Sequence, residues 1–229
     1  MNLPYFFVED LGTKKIVLGE DVSKHMINVL RMGVGREVLL TDGKGKKAKA
    51  TIIDDNRKKV GVEISHVDNS EEKKNIVAIG ISLIKNASRF EWFLEKATEI
   101  GVSEVFPLIC ERTEKEKFRH ERMNSILISA MLQSQQSWLP VLHEPENFSS
   151  VVQRKDFSKK FIAHCVEGER KKVLRGESAI ILIGPEGDFT PGEIQKALDN
   201  DFIPVTLGET RLRTETAGIV AATILKLEI

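Results

Sequence analysis

Two short stretches in the C-terminal half hold more glycine and polar residues than a simple connection needs, and each follows an apolar, strand-like run. The first is AIILIGPEGDFTPGE, where the run ending at Ile183 passes into Gly184-Pro185-Glu186-Gly187-Asp188. Glycines flanking the Pro-Glu pair let main-chain amides and carbonyls approach a flat ligand more closely than side chains allow. An ordinary strand-to-helix turn would use the same residue types. The second is VTLGETRLRTETAGIVAATIL, where a strand ends at Leu207-Gly208 and a helix begins near Thr214 or Thr216. Arg211, Leu212, Arg213, Thr214, Glu215, Thr216 and Ala217 crowd that helix start, a place that attracts negative or electron-rich groups. One Ser or Thr suffices for a cap. Two arginines, a glutamate and two threonines fit binding or catalysis, although Glu215 is equally at home as a first-turn acid.

Other chemistries lack their signatures. There is no GxGxxG after a strand and no GxxxxGK[ST], and Gly43-Lys44-Gly45-Lys46 lacks the spacing and the following helix of a phosphate loop. A GxSxG elbow and an HExxH zinc helix are also missing, so ordinary dehydrogenase, ATPase and hydrolase readings lose ground. Cys110 and Cys165 lie in apolar runs outside any CxxC or Cys/His cluster. Both are expected to be buried thiols, and no metal site is expected. His25 and His164 fit a structural place better than a functional one.

Elements that place these stretches can be read from periodicity. From Met1 to about Ser70, PYFFVE, KIVL, EVLLTD, AKATIID and VGVEISHV alternate like half-buried strands, and Asp42-Gly43-Lys44-Gly45 is a hairpin signal. One helix interrupts them at Ser23 to Arg31, with Ser23 as its expected N-cap. This is the pattern of a small β-barrel-like module over residues 1–70. The polar stretch Asp68 to Asn75 is the expected linker. From residue 74 to 229 apolar strands alternate with helices, which predicts a parallel sheet covered on both faces. Ser88-Arg89-Phe90-Glu91 and Thr190-Pro191-Gly192-Glu193 both read as capping boxes, and Gly101 as a helix stop. Open parallel sheets bind ligands beyond the carboxyl ends of their strands, which is where both glycine-rich stretches fall.

The 229 residues are 41% hydrophobic and 30% charged, the balance of a globular protein with a real core. No stretch approaches the roughly 18 apolar residues of a membrane span, and the N-terminus lacks the form of a secretion signal, so the expected location is the cytoplasm. The 34 basic and 34 acidic residues cancel, so net charge does not argue for nucleic acid. Local clusters at Lys44, Lys46, Lys47 and Lys49, at Arg57 to Lys59 and at Arg170 to Lys172 could follow a phosphate backbone or simply form solvated faces.

Four ordered segments carry a resemblance: HMINVLRMGVGREVLLTDGKG from His25, KNASRFEWFLEKATEIGVSEVFPLICERTE from Lys85, IGPEGDFTPGE from Ile183 and LGETRLRTETA from Leu207. With them the chain resembles, from about Tyr5 to Leu225, the bacterial 16S ribosomal RNA uracil-N3 methyltransferase family of the SPOUT superfamily. It departs from that pattern at Asp188, where Gly is usual, and near Gln136, where a basic residue is common. The resemblance implies a PUA-like RNA-binding barrel, then an α/β domain with a trefoil knot, and a homodimer acting on 16S rRNA in the small ribosomal subunit. It implies S-adenosylmethionine bound by Ile183, Gly184, Pro185, Glu186 and Gly187, and by Leu207, Gly208, Arg211, Leu212, Thr214, Thr216 and Ala217. Arg213 and Glu215 become the expected catalytic pair, with Arg31, Lys44, Lys46, Lys85 and Arg89 as RNA contacts. A non-catalytic RNA-binding protein would keep the basic hairpin but has no reason to keep GPEGDF and LRTETA together. An α/β protein binding another adenosine ligand fits the same residues.

Overall fold

Along Lys46–Asp54 every second residue is apolar, and Ala48, Ala50 and Ile52 are accordingly buried on one face of a strand. That strand is the centre of the first of two compact units in this computed structural model, which describes residues 3–71, 75–114, 117–165 and 178–226. The first unit comprises Met1–Glu72 with Met131–Leu139, and the second Lys73–Ala130 with Pro140–Ile229. Residues 131–139, which sequence periodicity runs on with the α/β half, thus belong with the N-terminal unit.

The N-terminal unit contains β1 (Tyr5–Phe7), β2 (Lys15–Val17), α1 (Glu20–Lys24), a π-helical turn (His25–Val29), β3 (Glu37–Thr41), β4 (Lys46–Asp54) and β5 (Gly61–Asn69). Its sheet runs β1-β3-β4-β5-β2. The sheet gathers one apolar core that includes Phe6, Leu18, Met26, Val38, Leu40, Ile52 and Val62. The β3–β4 hairpin turns as expected, through Gly43 and Gly45 at φ 68° and 94°. The helix differs from expectation. Gly19 is its N-cap, and Ser23 lies buried inside it, where its hydroxyl donates to the Leu18 carbonyl and accepts from the Val60 amide. A buried hydroxyl with both partners supplied tolerates a helix interior, so the residue type alone misplaced the cap.

The second unit adds β6 (Ile76–Ser82), α2 (Ala87–Ile100), β7 (Glu104–Ile109), α3 (His120–Gln133, whose last turn passes into the first unit), β8 (Val141–Leu142), β9 (Glu146–Asn147) and α4 (Phe148–Val151). It continues with β10 (Lys159–Ala163), β11 (Ser178–Ile183), α5 (Pro191–Leu198), β12 (Ile203–Val205) and α6 (Thr214–Lys226). All seven strands are parallel, in the order β12-β10-β11-β6-β7, with β8 and β9 both on the outer edge of β7. One face packs Phe106, Leu108, Ile162, Ile180 and Leu182 against Phe148, Phe189, Ile194 and Ala197. On the other face α6 packs against α2 and β6. A Cβ at Gly218 would lie 2.6 Å from the Phe93 ring, so this close approach requires glycine inside a helix despite its propensity cost.

Helix ends follow the sequence in part. Thr190 and Glu193 form a reciprocal capping box with Pro191 in the first turn, and Gly101 closes α2 in the left-handed conformation at φ 92°. Ser88 is not the cap of α2: Asn86 is, its side chain accepting from the Ser88 amide. Glu91 is taken instead by Arg122, which donates to it from two nitrogens and holds its carboxyl below the usual carboxylate range.

Candidate active site

Three strands end level with one another. Ala163 of β10 is in register with Ile183 of β11 and with Val205 of β12, so the segments following all three leave the same edge of the sheet. Between them lies a cavity of about 920 Å³, near the upper end of the range for small-molecule sites. Its walls contain Ala163, Ile183 and Val205 themselves, the turn Gly184 to Glu186 with Asp188, the whole segment Thr206 to Thr214, Ala217, and Arg89 from α2.

Each wall is fixed by local chemistry. A Cβ on Gly184 would meet the Phe189 amide nitrogen at 3.1 Å and the Phe189 ring at 3.2 Å, so only glycine lets the turn fold back over that buried ring. The Asp188 amide closes the turn on the Pro185 carbonyl at 2.9 Å. Asp188 itself has φ 64°, a left-handed conformation that glycine adopts freely and aspartate tolerates better than most residues. Its carboxylate then accepts from the amides of Phe189 and Cys165, both at 2.8 Å, and so ties the segment after β10 to the turn after β11. Aspartate at this left-handed position thus supplies a tether that a glycine, with no side chain, would lack.

The segment after β12 is anchored at its far end. The Arg213 carbonyl accepts from the Ala217 amide, which makes Arg213 the N-cap of α6 and puts Thr214, Glu215 and Thr216 in the first turn. Thr214 is buried, and its hydroxyl donates to the Gly184 carbonyl at 3.0 Å. Arg211 donates to the Glu186 carbonyl at 3.4 Å. Glu215, only 7% exposed, stands 3.7 Å from the Arg89 guanidinium.

Most of the expected ligand residues meet in this cavity, and the exceptions have local reasons. Gly187 is outside its wall, because its carbonyl is turned to Arg112, which donates to it at 2.6 Å. Thr216 faces a smaller recess with Arg213 and Glu215. Of the expected RNA contacts, Arg89 is a cavity residue, Lys85 is exposed beside Glu114 at 2.6 Å, and Arg31, Lys44 and Lys46 are exposed on the N-terminal unit. Arg170 to Lys172 fall outside the described residues. The end of β10 was missed: Ala163, His164 and Cys165 line the cavity, although nothing in FIAHCV distinguishes a ligand wall from a core strand. Cys165 is exposed, which corrects the reading of both thiols as buried. Cys110 is buried, and desolvation pushes its thiol up to about 12. Among the described residues no group of His, Cys, Asp and Glu could hold a metal ion, and no helix is long and apolar enough to cross a membrane.

Known proteins are similar to this chain in sequence and in fold. The RNA methyltransferase domain model matches residues 71–226, and the RNA methyltransferase PUA domain model matches residues 18–65. The ribosomal RNA small subunit methyltransferase E of Mesomycoplasma hyopneumoniae is 31% identical over 170 residues, 70% of this chain and 73% of that one. The chain belongs to the ribosomal RNA small subunit methyltransferase E family. Two solved structures share the fold along nearly the whole length of this chain. A probable rRNA-methyltransferase from Porphyromonas gingivalis superposes with a TM-score of 0.90 at 37% identity, covering 97% of this chain and 96% of that one. A ribosomal RNA small subunit methyltransferase E from Neisseria gonorrhoeae, crystallised with S-adenosyl methionine, superposes at 0.83 with 29% identity, covering 97% and 96%. The five-stranded N-terminal sheet is thereby a PUA-type domain, and the seven-stranded parallel sheet is the methyltransferase domain.

Proposed function

We propose that this chain transfers a methyl group from S-adenosylmethionine to N3 of a uridine in 16S rRNA of the small ribosomal subunit. The observation that carries the reading is the cavity at the level ends of β10, β11 and β12. Its residues fit the donor. Ile183, Val205, Leu207, Leu212 and Ala217 give apolar surface for a flat adenine, and the Gly184 to Glu186 and Leu207 to Gly208 backbones give nearby amides and carbonyls. Glu186 and Glu209 supply carboxylates for cationic groups, and Arg211 a guanidinium for an acidic one. When bound, the donor supplies an electrophilic methyl group on sulfur.

The chain's own work concerns the base. N3 of uracil is protonated at neutral pH and engaged in pairing, so the base must be unpaired and its proton removed. Arg213, which lines both cavities, stabilises the negative charge developing on the carbonyl oxygens in this reading, since guanidinium remains charged and offers several fixed donors. Glu215 holds Arg89 beside it and is a candidate to accept the proton. Arg31, Lys44, Lys46 and Lys85 contribute phosphate contacts, with the N-terminal unit serving as the RNA-holding domain and the α/β unit as the catalytic one. The family resemblance supports a knotted homodimer working in the cytoplasm.

The deciding experiment incubates the protein with labelled donor and small subunits from cells lacking it, then maps modified bases by mass. One N3-methyluridine in 16S rRNA is the expected product. Unmodified subunits, or label on another base atom, overturn the reading.

A further inference from the structure

Beside the large cavity lies a recess of about 290 Å³, lined by Ser88, Arg89, Trp92, Arg213, Glu215 and Thr216. Two of these residues, Arg89 and Arg213, also wall the large cavity, so the two spaces are neighbours across a pair of guanidinium groups. The recess is at the lower limit of small-molecule sites, sized for one ring system rather than a nucleoside-amino acid conjugate. Trp92 stands in it 43% exposed, while the next two residues of α2, Phe93 and Leu94, are fully buried. A large aromatic face left in water beside fixed charges suits a partner with a π-face of its own.

We infer that this recess seats the target nucleobase, with its ring on Trp92 and its carbonyl oxygens toward Arg89 and Arg213. The inference rests on the proposed methyl transfer and names the place of its acceptor. A base drawn out of an RNA helix loses its stacking neighbours, and an aromatic side chain replaces them. Guanidinium groups only donate hydrogen bonds. Uracil flanks N3 with two acceptor oxygens, whereas cytosine puts an amino donor on one side of N3 and meets a guanidinium there as donor against donor. Two arginines at one recess therefore select uracil partly by excluding cytosine. Glu215, buried and 3.7 Å from Arg89, keeps that guanidinium at the boundary between the two spaces.

The test compares the wild-type protein with Trp92→Ala and Trp92→Phe in three measurements: methyl transfer to small subunits over a range of subunit concentration, donor affinity by calorimetry, and oligomeric state by light scattering. Loss of one base–aromatic stack corresponds to between about 5-fold and about 150-fold in binding. The alanine variant is therefore expected to lose at least about 5-fold in kcat/KM for subunits, to keep its donor affinity within about 2-fold, and to keep its oligomeric state. The phenylalanine variant should recover most of the loss. Unchanged kcat/KM in the alanine variant overturns the inference, as does a parallel loss of donor affinity, an altered oligomeric state, or a phenylalanine variant as impaired as alanine. A wild-type protein that binds the donor but methylates no uridine sinks the underlying reading, and the inference with it, before any variant is compared.

Discussion

The Thr214 hydroxyl donates to the Gly184 carbonyl at 3.0 Å, so the first residue of α6 fastens the turn after β11 to the segment after β12. This bond is buried, unlike the longer and exposed one from Arg211 to the Glu186 carbonyl that joins the same two segments. Thr214→Val keeps the shape but leaves the Gly184 carbonyl without its partner, at a cost of about 1–3 kcal/mol. The melting temperature should fall by several degrees and donor affinity by about 10-fold, while Thr214→Ser restores both. Calorimetry and thermal melting check this; a valine variant that binds the donor like wild type removes the fastening role.

Arg213 caps α6 through its carbonyl while its side chain lines both cavities, so its truncation should separate catalysis from binding. In Arg213→Ala the rate of methyl transfer should fall by at least about 100-fold, as expected for loss of a charge-stabilising donor. Donor affinity should change by less than about 3-fold. Single-turnover kinetics beside calorimetry separate the two quantities, and equal losses in both assign Arg213 to donor binding instead.

The two thiols should differ in reactivity and in their effect on stability. Cys165 is exposed on the cavity wall, so iodoacetamide should label it and bound donor should shield it, while Cys110 reacts only after unfolding. The Cys110 thiol has its pKa raised by burial to about 12, against roughly 8.5 in the unfolded chain. Between these values the unfolded state has released a proton that the folded state retains, so stability falls as pH rises, by up to about 1.4 kcal/mol per pH unit. Below about pH 8 the thiol adds no slope. Urea midpoints at pH 8 and pH 10 should therefore diverge more in wild type than in Cys110→Ala; equal divergence disproves the assignment.

Phosphate contacts have a salt signature. If Lys44 and Lys46 meet the RNA backbone, replacing both with alanine should reduce the slope of log K against log salt by about 1 per lysine. The effect should be similar across RNA sequences. An unchanged slope in filter binding would leave the hairpin a solvated face.

Legibility followed the range of the forces involved. The hairpin at Gly43 and Gly45, the capping box at Thr190 and Glu193, and the stop at Gly101 were readable because each is settled within four residues. Ser23 and Ser88 were misread as caps because a hydroxyl can cap, turn or hydrogen-bond inside the fold, and only the packed neighbours choose. Residues 131–139 carried no sign of leaving the α/β half. Their place is decided by contacts with the N-terminal unit, such as the Gly45 amide donating to the Ser137 carbonyl at 2.8 Å.

By itself the sequence determined the alternation of strands and helices, the parallel sheet, and the two polar stretches at its carboxyl edge, since periodicity and turn chemistry are written in neighbouring residues. Tertiary structure alone decided that Ala163, Ile183 and Val205 end level, that Arg89 from a distant helix joins Glu215, and that Asp188 reaches Cys165. Those pairings bring together residues far apart in the chain, and their register is set by how apolar faces fit against one another rather than by any local preference.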